Sequence, residues 1–487
     1  MPELAFVMLL VPIALTLLDW RKGLGLCVLT ALVQDPLRKL TPGQPVYFVV
    51  LVGAVFAAAW LAALMSRVRL GPNAIQGWRQ HVGTPFILFL VMIVAQAVHS
   101  FIQFDKPMVT GIGLLSYLTP IPAVVIAYQI AIRRGLAGLR NWMWLYVSAA
   151  SVALFSVYLE FADFGWPVLG EVGEGLLITG YSTALKAYAG TFRSSEVAAW
   201  HVATTACFMF LLFAGKRFTA MRIVATVALV AFLLSVGLLT GRRKMLVEVA
   251  VFAATYVFLV TWFKQGAGKL AILAAAAGAV AFLLIVGLVS PDHGEAISTP
   301  DRRAEMADTF ERYADRGSSV LEDIPERISG LGIQPILAVI DGYGWFGAGL
   351  GTGSQGAQYY TGAMNTGAAE GGLGKITLEL GVPGLVLIVW LLIAFGRYVH
   401  RLLVITTRTS QTHARYAYGL VGFLLANAAA FSVATQVYGD VFILLLLGWT
   451  VGFLLAMPVL AIRETRPVPT KARGVQRRVA PPLVRHA

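Results

Sequence analysis

Cysteine is almost absent from this sequence, since its 487 residues contain only two, Cys27 and Cys207. Each lies inside an apolar run, so we expect neither a disulfide framework nor a cysteine-based metal site. Histidine, cysteine and acidic residues show no spacing typical of metal ligands, and no Gly-Lys-Ser or Gly-Lys-Thr sequence closes a phosphate-binding loop. We therefore expect no metal and no cofactor, and we interpret the scattered histidines, such as His201 and His413, as structural or surface residues.

Charged side chains are also scarce, because they make up 13% of the residues, against roughly 25% in an average soluble domain. Hydrophobic residues make up 58%. They are gathered in runs of about 17–23 residues, close to the roughly 20 that a helix needs to cross a bilayer. The runs lack the strict alternation of a transmembrane barrel. The sequence therefore predicts an all-α, polytopic transmembrane helix bundle of about 12–13 spans.

The order of apolar and polar stretches predicts four parts of the chain. The first two runs are short and are separated by Asp19, Arg21 and Lys22, so the sequence leaves open whether both cross or form a hairpin that does not fully span. The predicted parts are an N-terminal bundle (1–289, about ten spans), a large external loop with short helices (290–373), C-terminal transmembrane helices (374–462) and a basic cytoplasmic tail (463–487). The candidate spans are 4–18, 23–34, 46–66, 86–103, 110–132, 142–162, 197–214, 219–239, 245–263, 268–289, 374–395, 416–434 and 440–462.

The formal net charge of +13 is explained by membrane topology. Arginine and lysine collect in alternate loops along the chain, and the positive-inside rule places such loops in the cytoplasm. We therefore do not expect nucleic acid as a partner. The intervening loops, 163–196 and 290–373, are acidic and are predicted to lie outside.

Two groups of cations break this rule. Arg242, Arg243 and Lys244 join two apolar runs on the side predicted to be external, and Arg193 comes just before another run. Binding of an anion is the simplest reason for cations on the disfavoured side, and the N–H groups of a helix N-terminus would add to it at Arg193. The alternatives are snorkelling of the triple cation to lipid head groups and an ion pair between Arg193 and Glu196.

The external loop ends in glycine-rich sequence. Residues 301–328 and 333–340 are predicted to form short helices, the first of them amphipathic. Residues 341–353 are dense in glycine, which allows close approach of the backbone. Glu370 follows, just ahead of the next span. A carboxylate at such an edge is either a working group or the salt-bridge partner of Lys375.

In their order and spacing, these elements resemble the O-antigen ligase and O-antigen polymerase superfamily. The resemblance covers residues 190–395 and is carried by Thr191-Phe192-Arg193, Gly241-Arg242-Arg243, Gly347-Ala348-Gly349-Leu350-Gly351-Thr352 and the stretch from Glu370 to Gly384. It implies a GT-C-like fold and an inverting, metal-independent glycosyl transfer on the outer side of the bacterial cytoplasmic membrane. The implied donor is a glycan on undecaprenyl diphosphate, and a flippase and a chain-length regulator are implied partner proteins.

The resemblance also implies roles for particular residues. Arg193 and either Arg242 or Arg243 would bind the diphosphate, because fixed arginine donors stabilise charge that develops on phosphate oxygens. Glu370 would orient or deprotonate the acceptor hydroxyl. Ligases of this group carry a histidine just before the final Glu-Leu-Gly element, and its absence here favours a polymerase. The remaining candidate substrate-binding residues are Lys375, Gly349, Gly351 and Thr352.

Other functions compete with polymerisation. An O-antigen ligase would transfer the glycan to lipid A-core or another acceptor. A secondary transporter is the alternative from another class, but transporters usually show repeated halves and interrupted spans near the bilayer midplane. Here the charges gather at the outer edge and the long loop occurs once. A non-catalytic scaffold would leave the cation groups without a role.

Overall fold

The computed structural model describes residues 2–170, 172, 177–179, 184–213, 220–242, 244–263, 333–354 and 371–465. The described chain is helical apart from one short hairpin, in which β1 (Leu177–Thr179) pairs antiparallel with β2 (Ala184–Lys186). The sequence analysis did not predict this hairpin. Five of the predictions lie outside the described residues, namely the span 268–289, the amphipathic helix 301–328, Arg243, Glu370 and most of the tail, 466–487.

Long apolar helices dominate the described part of the chain, where 8 helical segments are long and apolar enough to cross a membrane. The protein is therefore a multi-pass helical bundle, as predicted. The helices are α1 (Pro2–Leu18), α2 (Gly23–Leu40), α3 (Leu51–Met65), α4 (Trp78–His81), α5 (Gly83–Phe104), α6 (Pro107–Leu118), α7 (Pro120–Phe161), α8 (Ser195–Phe213), α9 (Ala220–Leu239), α10 (Lys244–Phe263), α11 (Ile333–Tyr343), α12 (Gly372–Thr409), α13 (Gln411–Val433) and α14 (Val441–Thr465).

Helix α14 lies at the centre of the bundle, since 83% of its most apolar stretch is buried. Gly452 lets α14 approach α7 closely, because a Cβ there would come within 2.3 Å of the carbonyl oxygen of Val124. The fully buried Trp449 packs edge-on against Trp142, with 5.8 Å between the ring centroids. Small residues that admit a neighbouring backbone are the usual means of helix association in lipid.

Helix α7 consists of two arms that meet at Gly135, whose φ is +66°. Arg463, near the end of α14, donates to the carbonyl of Ile132 at the end of the first arm. Phe442, near the start of α14, instead stacks on Tyr146 in the second arm. The first arm therefore runs parallel to α14 and the second runs back toward the start of α14, in agreement with two separate predicted spans, 110–132 and 142–162.

The bundle has two chemically different ends, which we call the Arg463 end, where α14 finishes, and the Arg193 end, where α14 begins. Cations and acids are mixed at the Arg193 end. At the Arg463 end the described acids are Asp19 and Glu464, whereas the described cations are Arg21, Lys22, Arg67, Arg69, Arg79, Arg133, Arg134, Arg140, Arg397, Arg401, Arg408, Arg415 and Arg463.

Helix α2 reaches from one end of the bundle to the other. Asp19, just before α2, lies 3.8 Å from Arg134 at the Arg463 end. Near its finish, Asp35 accepts a hydrogen bond from the backbone N–H of Arg193 at 3.1 Å. Its 18 residues extend about 27 Å at 1.5 Å per residue, close to the thickness of the hydrocarbon core of a bilayer. The second apolar run, left open by the sequence, therefore joins both ends, and α1 packs beside it.

Candidate functional site

The turn that leads into α8 is held by side chains from two helices. Glu160 Oε2 accepts hydrogen bonds from the backbone N–H groups of Ala189 and Gly190 at 2.9 and 2.7 Å. Lys39 Nζ donates to the carbonyl of Gly190 at 2.7 Å. Gly190 has a φ of +60°, and a Cβ there would lie 2.6 Å from the backbone nitrogen of Val157. Glycine is therefore required at this position, and the turn is fixed where it meets α7.

Arg193 follows this turn and is buried between two carboxylates. Its guanidinium contacts Asp440 and lies 3.9 Å from Asp35, and the exposed fractions of the three side chains are 16%, 3% and 4%. Asp440 also caps α14, because its Oδ1 accepts the N–H groups of Phe442 and Ile443 at 2.7 and 3.1 Å. Burial alone would lower the pKa of Arg193, but Asp440 and Asp35 outweigh burial and raise that pKa. The guanidinium therefore stays charged and ties α2, the turn and α14 together.

Arg242 lies beside the start of α8. Its Nε donates to Ser195 Oγ at 3.1 Å, and its Nη1 lies 3.2 Å from Glu196 Oε1. Lys244 Nζ lies 3.6 Å from the same carboxylate oxygen and donates to Gln436 Oε1 at 3.4 Å. Among the described side chains, Arg242 and Lys244 thus share the carboxylate of Glu196. Glu196 therefore pairs with Arg242 and Lys244, and the alternative of an ion pair between Arg193 and Glu196 is wrong.

The structure brings Arg193, Arg242 and Lys244 to one helix end, and we call these three residues the cation cluster. Helix α8 begins at Ser195, two residues after Arg193, and Ser194 Oγ accepts from the N–H of Val197 at 3.4 Å. The first N–H groups of a helix lack partners within the helix and favour a nearby anion. The cluster therefore combines guanidinium, ammonium and backbone donors, which is the donor set that binds phosphate.

The described chain resumes immediately after Glu370, and it does so near the cation cluster. A Cβ at Gly372 would lie 2.5 Å from the ring of Phe431. That ring packs on Tyr438, with 5.3 Å between centroids, in the 3₁₀ turn Gln436–Gly439. Gln436 in the same turn accepts the hydrogen bond from Lys244. The start of α12 and the cation cluster are therefore linked through one short turn.

The glycine-rich segment 344–354 packs tightly against α5, α6 and α12. A Cβ at Gly349 would lie 2.9 Å from Ser100 Cα, and a Cβ at Gly351 would lie 2.0 Å from the carbonyl oxygen of Val109. Ser100 Oγ donates to the carbonyl of Leu350 at 2.8 Å. Thr352 Oγ1 donates to the carbonyl of Gly349 at 2.7 Å, within the segment itself. These contacts account for Gly349 and Gly351 as sites of close backbone packing.

Replacing Gly351 by alanine is expected to destabilise the folded protein by at least about 1–3 kcal/mol, because its φ is +87° and Val109 leaves no space for a Cβ. Thermal unfolding of the detergent-solubilised protein measures the change. Gly111→Ala is the matched control, since Gly111 lies in α6 with open space around it. Alanine there should be neutral or stabilise the helix. Equal unfolding temperatures for the two variants would contradict the packing described here.

Lys375 is buried and lies 4.0 Å from Glu379 Oε1, one turn further along α12. Glu379 Oε1 also accepts the N–H of Gly353 at 3.1 Å, and its Oε2 accepts the hydroxyl of Tyr117 at 2.7 Å. Glu379 thus fastens the glycine-rich segment to α6 and α12. Among the described residues, the carboxylate beside Lys375 is that of Glu379, in the same helix.

Sequence reasoning missed the acids that hold the site. Asp35 and Asp440 each lie at the edge of an apolar run, and a carboxylate at such an edge is a signal for a buried ion pair when a cation lies on the same side. The sequence groups Lys244 with Arg242 and Arg243 but does not assign it to the site. Its approach to Glu196 depends on the packing of α8 beside α10, which the local sequence does not encode.

Below the cation cluster, polar side chains continue into the bundle. His201 Nδ1 lies 2.8 Å from the hydroxyl of Tyr146. Asn427 donates to Glu248 Oε1 at 3.1 Å and accepts from the indole N–H of Trp200 at 2.8 Å. The His201–Tyr146 pair is buried, and so is the group formed by Asn427, Glu248 and Trp200. This burial is the environment expected of a structural histidine at position 201.

Within the described ranges, no group of three or more histidine, cysteine or acidic residues is placed to hold a metal ion. Comparisons of the sequence with protein-family models and with curated proteins gave no match.

Proposed function

We propose that this chain is a membrane glycosyltransferase that joins glycan units carried on undecaprenyl diphosphate, as an O-antigen or exopolysaccharide polymerase does. The observation that carries the proposal is the shared carboxylate at the start of α8, where Arg242 and Lys244 both lie against Glu196. Two cations on one carboxylate, beside the N-terminal end of a helix, suit a diphosphate, which carries negative charge on several oxygens.

The two arginines have different parts in this proposal. The charge of Arg193 is already matched by Asp35 and Asp440, so Arg193 holds the turn and the end of α14 in place. Arg242 and Lys244 share the carboxylate of Glu196, and in this proposal they supply the contacts to phosphate. As the bond between the anomeric carbon and the diphosphate breaks, negative charge grows on the leaving group, and fixed donors lower the energy of that state. No metal is needed for this stabilisation.

The Arg193 end is proposed to face outward. The excess of arginine at the Arg463 end supports a cytoplasmic position for that end under the positive-inside rule. The cation cluster would then open to the outer face of the bacterial cytoplasmic membrane, where flipped lipid-linked glycans arrive. A flippase and a chain-length regulator remain proposed partners, and a GT-C-like fold remains the proposed relationship. Ligation of the glycan to lipid A-core is the alternative reaction at the same site.

Secondary transport is the second candidate, and the buried Glu248 favours it. Its carboxylate lies between α10 and α13 and accepts a hydrogen bond from Asn427. An ionisable side chain inside a membrane bundle marks a proton or ion pathway in many transporters. Uptake of a labelled solute by proteoliposomes, lost in Glu248→Gln, would support transport over transfer.

Arg242→Gln tests the proposed reaction. We expect the variant, reconstituted with an undecaprenyl-diphosphate-linked oligosaccharide, to form longer glycans about 10²–10³ times more slowly than the unmodified protein, because a fixed donor to the developing charge is lost. Arg242→Lys should recover only part of the rate, since an ammonium cannot contact two phosphate oxygens side by side. Chain length is measured by mass spectrometry of the released glycan.

The matched control is Arg408→Gln, which removes an exposed arginine at the opposite end of the bundle. It should keep the normal rate. If Arg242→Gln elongated the glycan as fast as this control does, the cation cluster would not be the diphosphate site.

A further inference from the structure

A large cavity lies at the Arg463 end, apart from the cation cluster. It has a volume of about 850 Å³ and lies between the segment 72–81, the second half of α12 and the last turns of α14. Cavities of roughly 300–1,000 Å³ are typical of small-molecule sites. The cavity is therefore large enough for a lipid head group with the first part of its chains.

One wall of the cavity is cationic. Its cations are Arg79 and Arg401, and Arg401 Nη1 lies 3.1 Å from Nδ1 of His81, which also lines the cavity. Among the described residues, neither Arg79 nor Arg401 has a carboxylate within ion-pair distance. The two acids described at this end pair elsewhere, since Asp19 lies beside Arg134 and Glu464 lies beside His413.

The cationic wall is built into the fold. Tyr398 on α12 donates its hydroxyl to the carbonyl of Gln76. Trp78 packs edge-on against Phe86 and Tyr398, with ring centroids 5.5 and 6.5 Å apart. These contacts fasten the segment 72–81 to α5 and α12. Arg79 and His81 therefore stand on a backbone that is held from both sides.

Other side chains that line the cavity are apolar, and we call them the apolar wall. It is formed by Leu402 and Ile405 of α12 and by Leu455, Pro458 and Ile462 of α14. A cationic wall and an apolar wall that meet in one cavity, at the edge of a membrane bundle, match a ligand with a charged head and a hydrocarbon body. A free phosphate ion would leave the apolar wall without a partner.

We propose that this cavity binds the phosphate head group of an anionic membrane lipid. The phosphate lies between Arg79 and Arg401, and the first segments of its chains lie along the apolar wall of α12 and α14. Anionic lipids give the cytoplasmic surface of the membrane a negative potential, so they are present where this cavity opens if the Arg463 end is cytoplasmic. The proposal does not depend on the transfer reaction.

Native mass spectrometry of the full chain in mild detergent tests this site with phosphatidylglycerol, phosphatidylcholine and inorganic phosphate as probes. We expect phosphatidylglycerol to bind the unmodified protein at least about 10-fold more tightly than phosphatidylcholine. The double variant Arg79→Gln, Arg401→Gln should lose most of that preference, because each cation contributes to attraction of an anionic lipid. Arg67→Gln, Arg408→Gln is the matched control, since it removes two exposed cations at the same end that do not line the cavity.

The proposal fails if the control pair loses as much preference as the cavity pair, because the attraction would then come from general surface charge. It also fails if inorganic phosphate at the same concentration displaces phosphatidylglycerol fully, because the apolar wall would then contribute nothing. Unfolding temperatures of both double variants without lipid must equal that of the unmodified protein. If the cavity pair alone is less stable, Arg79→Lys, Arg401→Lys replaces it and should retain the preference.

Discussion

Replacement of Arg193 by alanine is expected to destabilise the folded protein by about 3–5 kcal/mol, the cost of removing one partner from a buried ion pair. Asp35 and Asp440 would then lose the guanidinium that they share, and both are almost fully buried. Asp440 also caps α14, so the loss would reach the central helix of the bundle. The expected result is a protein that unfolds at a much lower temperature.

The measurement is thermal unfolding in detergent, followed by the near-ultraviolet signal of the buried tryptophans. Arg397→Ala is the matched control, because Arg397 is exposed on α12 and no carboxylate partner of it is recorded among the described residues. Substitutions of this kind usually change stability by less than about 0.5 kcal/mol. The unfolding temperature of Arg193→Lys should lie between those of Arg193→Ala and Arg397→Ala. Lysine keeps the charge but cannot donate two parallel hydrogen bonds to a carboxylate.

A combined variant separates the ion pair from simple loss of packing. If the carboxylates cause the instability, Asp35→Asn introduced together with Arg193→Ala should restore part of the lost stability. The two changes lie in contact, so their effects should be non-additive. Additive losses from the two substitutions would mean that Arg193 acts through its volume and not through its charge.

The helices were largely predictable because lipid imposes a simple requirement. A chain in hydrocarbon must satisfy its own backbone hydrogen bonds, so each long apolar run becomes a helix. The predicted span 219–239 matches Ala220–Leu239, and 440–462 matches Val441–Thr465 within a few residues. The short helix predicted for residues 333–340 is confirmed as Ile333–Tyr343. The turn at Gly135 lies between the predicted spans 110–132 and 142–162.

The site was less predictable because its pairs come from distant parts of the chain. Alternation of loops places Arg193 and Arg242 at the same end, and this much follows from topology. The carboxylate partners of these cations do not follow from topology. Asp35 reaches Arg193 only when α2 packs beside α14, and Glu196 reaches Lys244 only when α8 packs beside α10. The density of glycine in segment 344–354 predicts that another group approaches its backbone closely. In the described chain, the backbone of α5 approaches Gly349 and the backbone of α6 approaches Gly351.

Glu370→Gln is expected to slow glycan transfer by about 10²–10⁴, the usual contribution of a positioned acid or base. The incoming hydroxyl needs an acceptor for its proton, and Glu370 immediately precedes Gly371 and Gly372, where α12 begins. That start packs on Phe431 and, through the turn containing Gln436, adjoins Lys244. A carboxylate at this point of the chain would therefore work beside the cations that we propose hold the leaving diphosphate.

Two separate measurements decide the role of Glu370. Binding of the lipid-linked donor should be unchanged in Glu370→Gln, because glutamine has nearly the same shape and the cations remain, while the rate of chain elongation should fall. Asp341→Asn is the matched control, since Asp341 is an exposed carboxylate of α11 in the interval between α10 and α12, and it should keep the normal rate. A normal rate in Glu370→Gln would reduce Glu370 to a structural residue. Loss of donor binding together with the rate would instead mean that Glu370 supports the cation cluster, because a base that acts only on the acceptor does not change the affinity for the diphosphate.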